Sequence, residues 1–107
     1  MDAEFASSAA RVATEVPRRY LGQLCTHFEH GPTLSVSVAE RHGRIEFPFG
    51  ICTLDAKAEA LVMHVKADDE AALGRLEDVV ARHLERFAFR DKPEIVWMRA
   101  SPTGAGP

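Results

Sequence analysis

Residues 34–66 read LSVSVAERHGRIEFPFGICTLDAKAEALVMHVK, and their alternation decides the fold. Leu34, Val36 and Val38 alternate with Ser35 and Ser37, the period of a half-buried strand. Ile45 and Phe47 alternate with Arg44 and Glu46, and ICTLDA resumes after Phe47-Pro48-Phe49-Gly50. Pro at the second position and Gly at the fourth is a type I turn pattern, so 43–56 is predicted to be a hairpin. In LVMHVKA, Leu61, Met63 and Val65 share one face while Val62, His64 and Lys66 share the other. Four strands with short connections make an antiparallel meander.

A helix is predicted on either side of this meander. Pro17 suits the first turn of a helix running through RRYLGQLCTHFEH, with Tyr20, Leu21, Leu24, Cys25 and Phe28 on one face. Gly31 and Pro32 stop it. Asp68, Asp69 and Glu70 place negative charge at the start of a second helix, AALGRLEDVVARHLERF, striped by Leu73, Leu76, Val80, Leu84 and Phe87. Arg82, His83 and Arg86 collect at its other end, and Asp78 and Arg82 form an i, i+4 pair. Gly74 costs about 0.5–1 kcal/mol against Ala in a helix interior, and close packing on the sheet is the expected reason. Ala10, Val12 and Thr14 mark a first strand, and EIVWMRA at 94–100 a last one.

The expected class is α+β, with order β-α-β-β-β-β-α-β and two helices on one face of an antiparallel sheet. That order resembles the TATA-binding-protein-like fold in single copy with an extra C-terminal strand, a likeness of fold alone. The expected organisation is a tail at 1–8, one domain at 9–100 and a flexible tail at 101–107.

Of the 107 residues, 46% are apolar and 27% charged, with 13 basic against 16 acidic. This composition suits a globular domain too short for two cores. Without the tail acids Asp2 and Glu4 the count is 13 basic against 14 acidic, so no basic excess points to nucleic acid. The acidic N-terminus lacks the basic and apolar regions of a secretory signal, and no apolar run reaches membrane-spanning length. A cytoplasmic protein with no membrane partner is expected. Cys25 and Cys52 read as free buried thiols, a single disulfide being the alternative.

Two clusters carry chemistry. In Cys25-Thr-His27-Phe-Glu29-His30, helical geometry turns Cys25 toward the core and puts His27 and His30 on a shared side. A metal ion such as iron or zinc would need a third ligand, with His83 the first candidate and Glu29 or His64 the others. The bland reading makes His30 a helix-end cation and His27 a core border. In the second cluster Arg82, Arg86, Arg90 and Lys92 outweigh Glu85 and Asp91. Beside Phe87, Phe89 and Tyr20 this end suits a small anionic or aromatic ligand, because Arg pairs with carboxylates and stacks on rings. A solvated helix end is the alternative. No nucleophile elbow, P-loop, dinucleotide fingerprint or zinc-protease motif occurs. Cys52 and His64 on adjacent strands are the one nucleophile–base pair to consider, although Cys52 reads better as packing. The open sheet face around Val62 and His64 is a second docking region, for a ligand or for another copy.

Three strings, RYLGQLCTHFEH, GRIEFPFGICTL and RLEDVVARHLERFAFR, together resemble a bacterial family of small domains of unknown function. Such domains stand alone or are fused to siderophore-interacting flavin-type ferric reductases. The resemblance implies an iron or siderophore setting by association, with such a reductase as a partner. It covers Tyr20, Cys25, His27, His30, Phe47, Gly50, Cys52, His83, Arg86, Phe87 and Arg90, none with an assigned role. Gly31 and Pro32 stand where the family often has Lys, which weakens a cation-dependent role there. The expected function is a non-catalytic accessory domain binding a ligand through His27, His30, His83, Arg86, Arg90 and Tyr20, with no cofactor evident. A metalloprotein or small enzyme using His27, His30 and His83, and a homodimerisation module, are the alternatives.

Overall fold

In the computed structural model of the chain, which describes residues 5–31, 33–88 and 92–100, Phe47 pairs with Gly50 across the predicted Pro48–Phe49 turn. The meander around it is β2 (Ser35–Val38), β3 (His42–Phe47), β4 (Gly50–Ala56) and β5 (Ala60–Ala67), each antiparallel to the next. β1 (Ala6–Ala13) pairs with β5, and β6 (Met98–Arg99) pairs with β1, giving the order β2-β3-β4-β5-β1-β6. All pairings are antiparallel. Among the described residues the fold is the expected α+β arrangement, one six-stranded sheet with two helices on one face.

Strand alternation makes the two faces. Val12, Ile45, Cys52, Leu54, Leu61, Met63 and Val65 are buried toward the helices. α1 (Pro17–Glu29) buries Tyr20, Leu21, Leu24, Cys25 and Phe28 against them. α2 (Glu70–Phe87) buries Leu73, Leu76, Val80 and Leu84. Each fully buried Leu or Val contributes about 1.5–3 kcal/mol over its exposed state, so this layer is the main source of stability. Asp69 caps α2 by accepting from the Ala72 amide at 2.8 Å, and Arg82 meets Asp78 as expected. At the end of α1, the His30 and Gly31 amides donate to the His27 and Phe28 carbonyls; Pro32, expected to help stop the helix, lies outside the described residues.

Two glycines are required by close approach. A Cβ on Gly50 would stand 2.6 Å from the Lys66 carbonyl and 2.7 Å from Leu76, so α2 packs directly on the hairpin. A Cβ on Gly43 would stand 2.7 Å from Cys25 Sγ. Gly74 departs from expectation. Among the described residues a Cβ there would meet the Arg99 guanidinium of β6 at 3.4 Å, an ordinary contact with a flexible side chain rather than close packing.

The edges differ most from the sequence reading. β1 begins at Ala6, inside the stretch expected as tail, because residues 6–8 pair with 65–67 of β5. β2 is an edge strand rather than half-buried: Leu34 and Val38 are exposed and only Val36 packs on the core. β6 is two residues long instead of spanning 94–100, although Ile95 and Trp97 pack against the core. Residues 1–4 and 101–107 lie outside the described residues.

A polar latch ties β6 to the body. The Ser8 hydroxyl donates to Glu77 Oε2 at 2.6 Å, and Arg99 donates to both Glu77 oxygens at 3.0 and 3.2 Å. Burial raises the Glu77 pKa, but the Arg99 and Ser8 hydrogen bonds and the Arg99 charge outweigh it, so the carboxyl sits below the usual range. Among the described residues no helix is long and apolar enough to cross a membrane.

Candidate ligand-binding site at the helix ends

The antiparallel meander sets α1 and α2 side by side, and their C-terminal ends meet. His27, in the last turn of α1, has its ring centroid 4.6 Å from that of His83 on α2. Phe87 stands edge-on to His27 at 5.6 Å, and Phe28 lies 4.8 Å from His83. The rings continue inward, with Phe28 edge-on to Phe47 at 5.1 Å and Phe47 beside Phe49 at 5.5 Å. A connected run of aromatic rings thus joins the FPFG hairpin to the helix ends.

The two histidines are not equivalent. His83 is half-buried, and its Nδ1–H donates to the Val79 carbonyl at 2.6 Å. A carbonyl only accepts, so Nδ1 carries a proton and Nε2 is the ring nitrogen that this bond leaves unengaged. His27 is held below the usual imidazole pKa, first by desolvation and then by the nearby charges of His83, Arg86 and His30. Four cation-forming groups therefore converge at this corner, and their repulsion adds to desolvation in disfavouring the charged form of His27.

Along the outer side of α1 the corner opens into a groove of about 580 Å³ lined by Arg18, Arg19, Gln23, Thr26, His27 and Phe87. Gly22 lies in its wall, where a Cβ would meet nothing within 4 Å. Among the described residues Gln23 Oε1 is buried without a hydrogen-bond partner, an unusual state for a polar atom. Arg18 reaches Glu40 at 3.0 Å, an exposed pair worth about 0–1 kcal/mol that a ligand anion can displace.

The structure sorts the predicted site residues. His27, His83 and Arg86 come together, with His30 close enough to act through its charge. Tyr20 is buried in the core at 5% exposure, because its position on the apolar stripe of α1 turns it to the sheet and away from a ligand. Arg90 lies outside the described residues. Among the described residues no three His, Cys, Asp or Glu side chains gather to hold a metal ion, so the trio of His27, His30 and His83 does not assemble. α1 ends at Glu29, so His30 is the exposed C-cap residue rather than part of the helix, and it stands outside the His27–His83 ring contact. Cys52 and His64 are on opposite faces, Cys52 fully buried with its thiol pKa pushed up by burial and His64 exposed on the open side. Both cysteines are free, and burial together with Glu29 pushes the Cys25 thiol up to about 11. Sequence reasoning missed Gln23, Arg18 and Arg19 as groove residues. Their spacing along α1 was the available signal, since positions 19, 23 and 26–27 line one helix flank.

These features define a small open-faced α+β domain with a cationic, ring-lined groove at one end of its helices. The family model for uncharacterized proteins conserved in bacteria, DUF2218, matches residues 9–98, and the chain belongs to that family. It is similar to the NMR structure of PA4090 from Pseudomonas aeruginosa, at 33% identity and a TM-score of 0.68, covering 89% of this chain and 95% of that one. No curated protein matches the sequence.

Proposed function

We propose that the chain is a cytoplasmic, non-catalytic accessory domain that holds a small aromatic or phenolic anion in the groove between α1 and the end of α2. The observation that carries this reading is the His27–His83 contact at 4.6 Å against Phe87, within reach of the Arg86 and His30 charges. An aromatic ring stacks on Phe87 and His27, and its carboxylate or phenolate pairs with Arg19 or Arg18. Gln23 Oε1 accepts a hydrogen bond from a phenolic O–H. Arenes bearing acidic oxygens are also iron chelators. Together with the resemblance to domains fused to siderophore-interacting reductases, this supports an iron or siderophore setting and such a reductase as partner.

The test is an NMR titration of the isotopically labelled chain with 2,3-dihydroxybenzoate, free and as its ferric complex, with neutral benzamide as control. Amide shifts at Gln23, Thr26, His27 and Phe87 with the acid and not the amide are expected. Gly22→Leu fills the groove in open space and raises helix propensity, so it should remove binding while the fold melts no earlier. Binding that survives Gly22→Leu would overturn the reading. Zinc or ferrous ion shifting His27 and His83 without organic ligand would favour a metal carried on two imidazoles instead.

A further inference from the structure

The face of the sheet turned away from both helices carries a second concavity, of about 500 Å³, within the range of small-molecule sites. Strand register builds it. Arg44 on β3 pairs with Thr53 on β4, Thr53 with His64 on β5, and His64 with Ala9 on β1. A guanidinium, a hydroxyl and an imidazole thus stand in one row on three neighbouring strands, about 4.8 Å apart at the backbone. Ala9 continues the row to Met98 on β6, and the next row sets Ile51 beside Lys66. The Lys66 ammonium is placed 4.4 Å over the Phe5 ring.

Charge identifies the occupant. Among the described residues every ionisable side chain lining the concavity, Arg44, His64 and Lys66, is basic, on a chain whose net charge is −3. Glu46 forms a long ion pair with Arg44, at 3.9 Å, and lies outside the lining. The remaining surface is mainly apolar, from Ala9, Ile51 and Met98. A two-fold pairing of two such faces would set this basic row against itself, because the same patch serves both copies. The complement of this lining is an anion with an apolar body.

We propose that the open sheet face binds an apolar monocarboxylate, its carboxylate over Thr53 between Arg44 and His64, its hydrocarbon along Ile51 and Ala9 toward Met98. This site is separate from the helix-end groove and stands or falls independently of it.

Titration of the labelled full chain with sodium octanoate and with neutral octanamide tests the proposal. Octanoate is expected to shift Ile51, Thr53 and His64 and to bind about tenfold more tightly than the amide, the worth of one charge-assisted hydrogen bond. Arg44→Gln should remove that advantage and leave octanamide binding unchanged. Thr53→Tyr, an aromatic accepted on a half-buried strand position of the open face, should block both ligands. Lys66→Gln serves as a second charge variant should Arg44→Gln melt early. Equal binding of acid and amide, shifts confined to Gln23 and His27, or no shift at millimolar octanoate would overturn the proposal. So would a dimer in sedimentation that Thr53→Tyr dissociates, since that outcome assigns the face to another copy.

Discussion

The imidazole of His27 lies 4.6 Å from that of His83, and these rings come from different helices. Neither strand register nor helix periodicity specifies that contact alone. It follows from the meander setting both helices on one face with their C-terminal ends together, where two dipoles of the same sign favour cations.

Protonation of His27 should cost stability in acid. Its pKa is lowered by desolvation and then by His83, Arg86 and His30. From about pH 6.5 downward the unfolded chain therefore binds a proton that the folded chain resists. Stability should fall with pH through that window until the folded His27 itself titrates. Thermal melts at about pH 7.5 and about pH 5.5 should differ less for His27→Gln than for the wild type. An unchanged difference would mean that His27 does not set the acid response.

An anion bound at the same corner should reverse that penalty. Binding 2,3-dihydroxybenzoate should take up protons near neutral pH, because the anion restores the charged form of His27. Calorimetry in two buffers of different ionisation enthalpy reads the uptake directly, and His27→Gln should reduce it.

The Glu77 latch favours its charged form, and it too loses stability in acid, in a lower pH window than His27. Glu77 is held below the usual range, so its contribution is present above about pH 4.3 and is lost as pH falls through the folded value. Glu77→Ala leaves the buried Ser8 hydroxyl without its acceptor and should cost about 1–3 kcal/mol in urea unfolding at neutral pH. Amide exchange at Met98 and Arg99 should accelerate in the same variant, because the latch spans from α2 to β6.

Gly43→Ala should destabilise by about 1–3 kcal/mol, since the new methyl would overlap Cys25 Sγ. The double variant Cys25→Ala with Gly43→Ala removes that sulfur, and chemical denaturation should show a favourable coupling between the two changes. Additive losses would place the strain elsewhere.

Gly74→Ala should stabilise by about 0.5–1 kcal/mol, because it restores helix propensity and its methyl only touches Arg99. A melting temperature below that of the wild type would show that α2 needs the glycine after all.

Much of the architecture was legible before any coordinates. Alternation in Ile45, Phe47, Cys52, Leu54, Leu61, Met63 and Val65 names the buried face of three central strands, and the stripes of α1 and α2 name what covers it. Those patterns are local: a period of two or of 3.6 is written by neighbours in the chain. The edges were less legible. Residues 6–8 carry no decisive period, and the alternation of Leu34, Val36 and Val38 does not say that their strand lies at an edge, where one partner alone enforces pairing and the apolar side chains stay exposed. At the site, helix spacing and dipole sign pointed to His27, His83 and Arg86, while Tyr20 could not be separated from the core stripe on which it sits.

By itself the sequence determined the element order, the faces of the strands and helices, and the basic end of α2. Tertiary structure alone decided that His27 meets His83 while His30 stays apart, and that Cys52 and His64 face opposite sides of the sheet. It also decided that Ser8, Glu77 and Arg99 close on one another, and that Arg44, Thr53 and His64 form a row. The reason is that each of these relations joins residues on different elements. Periodicity assigns a residue to a face, but only strand register and helix docking choose its neighbour on that face.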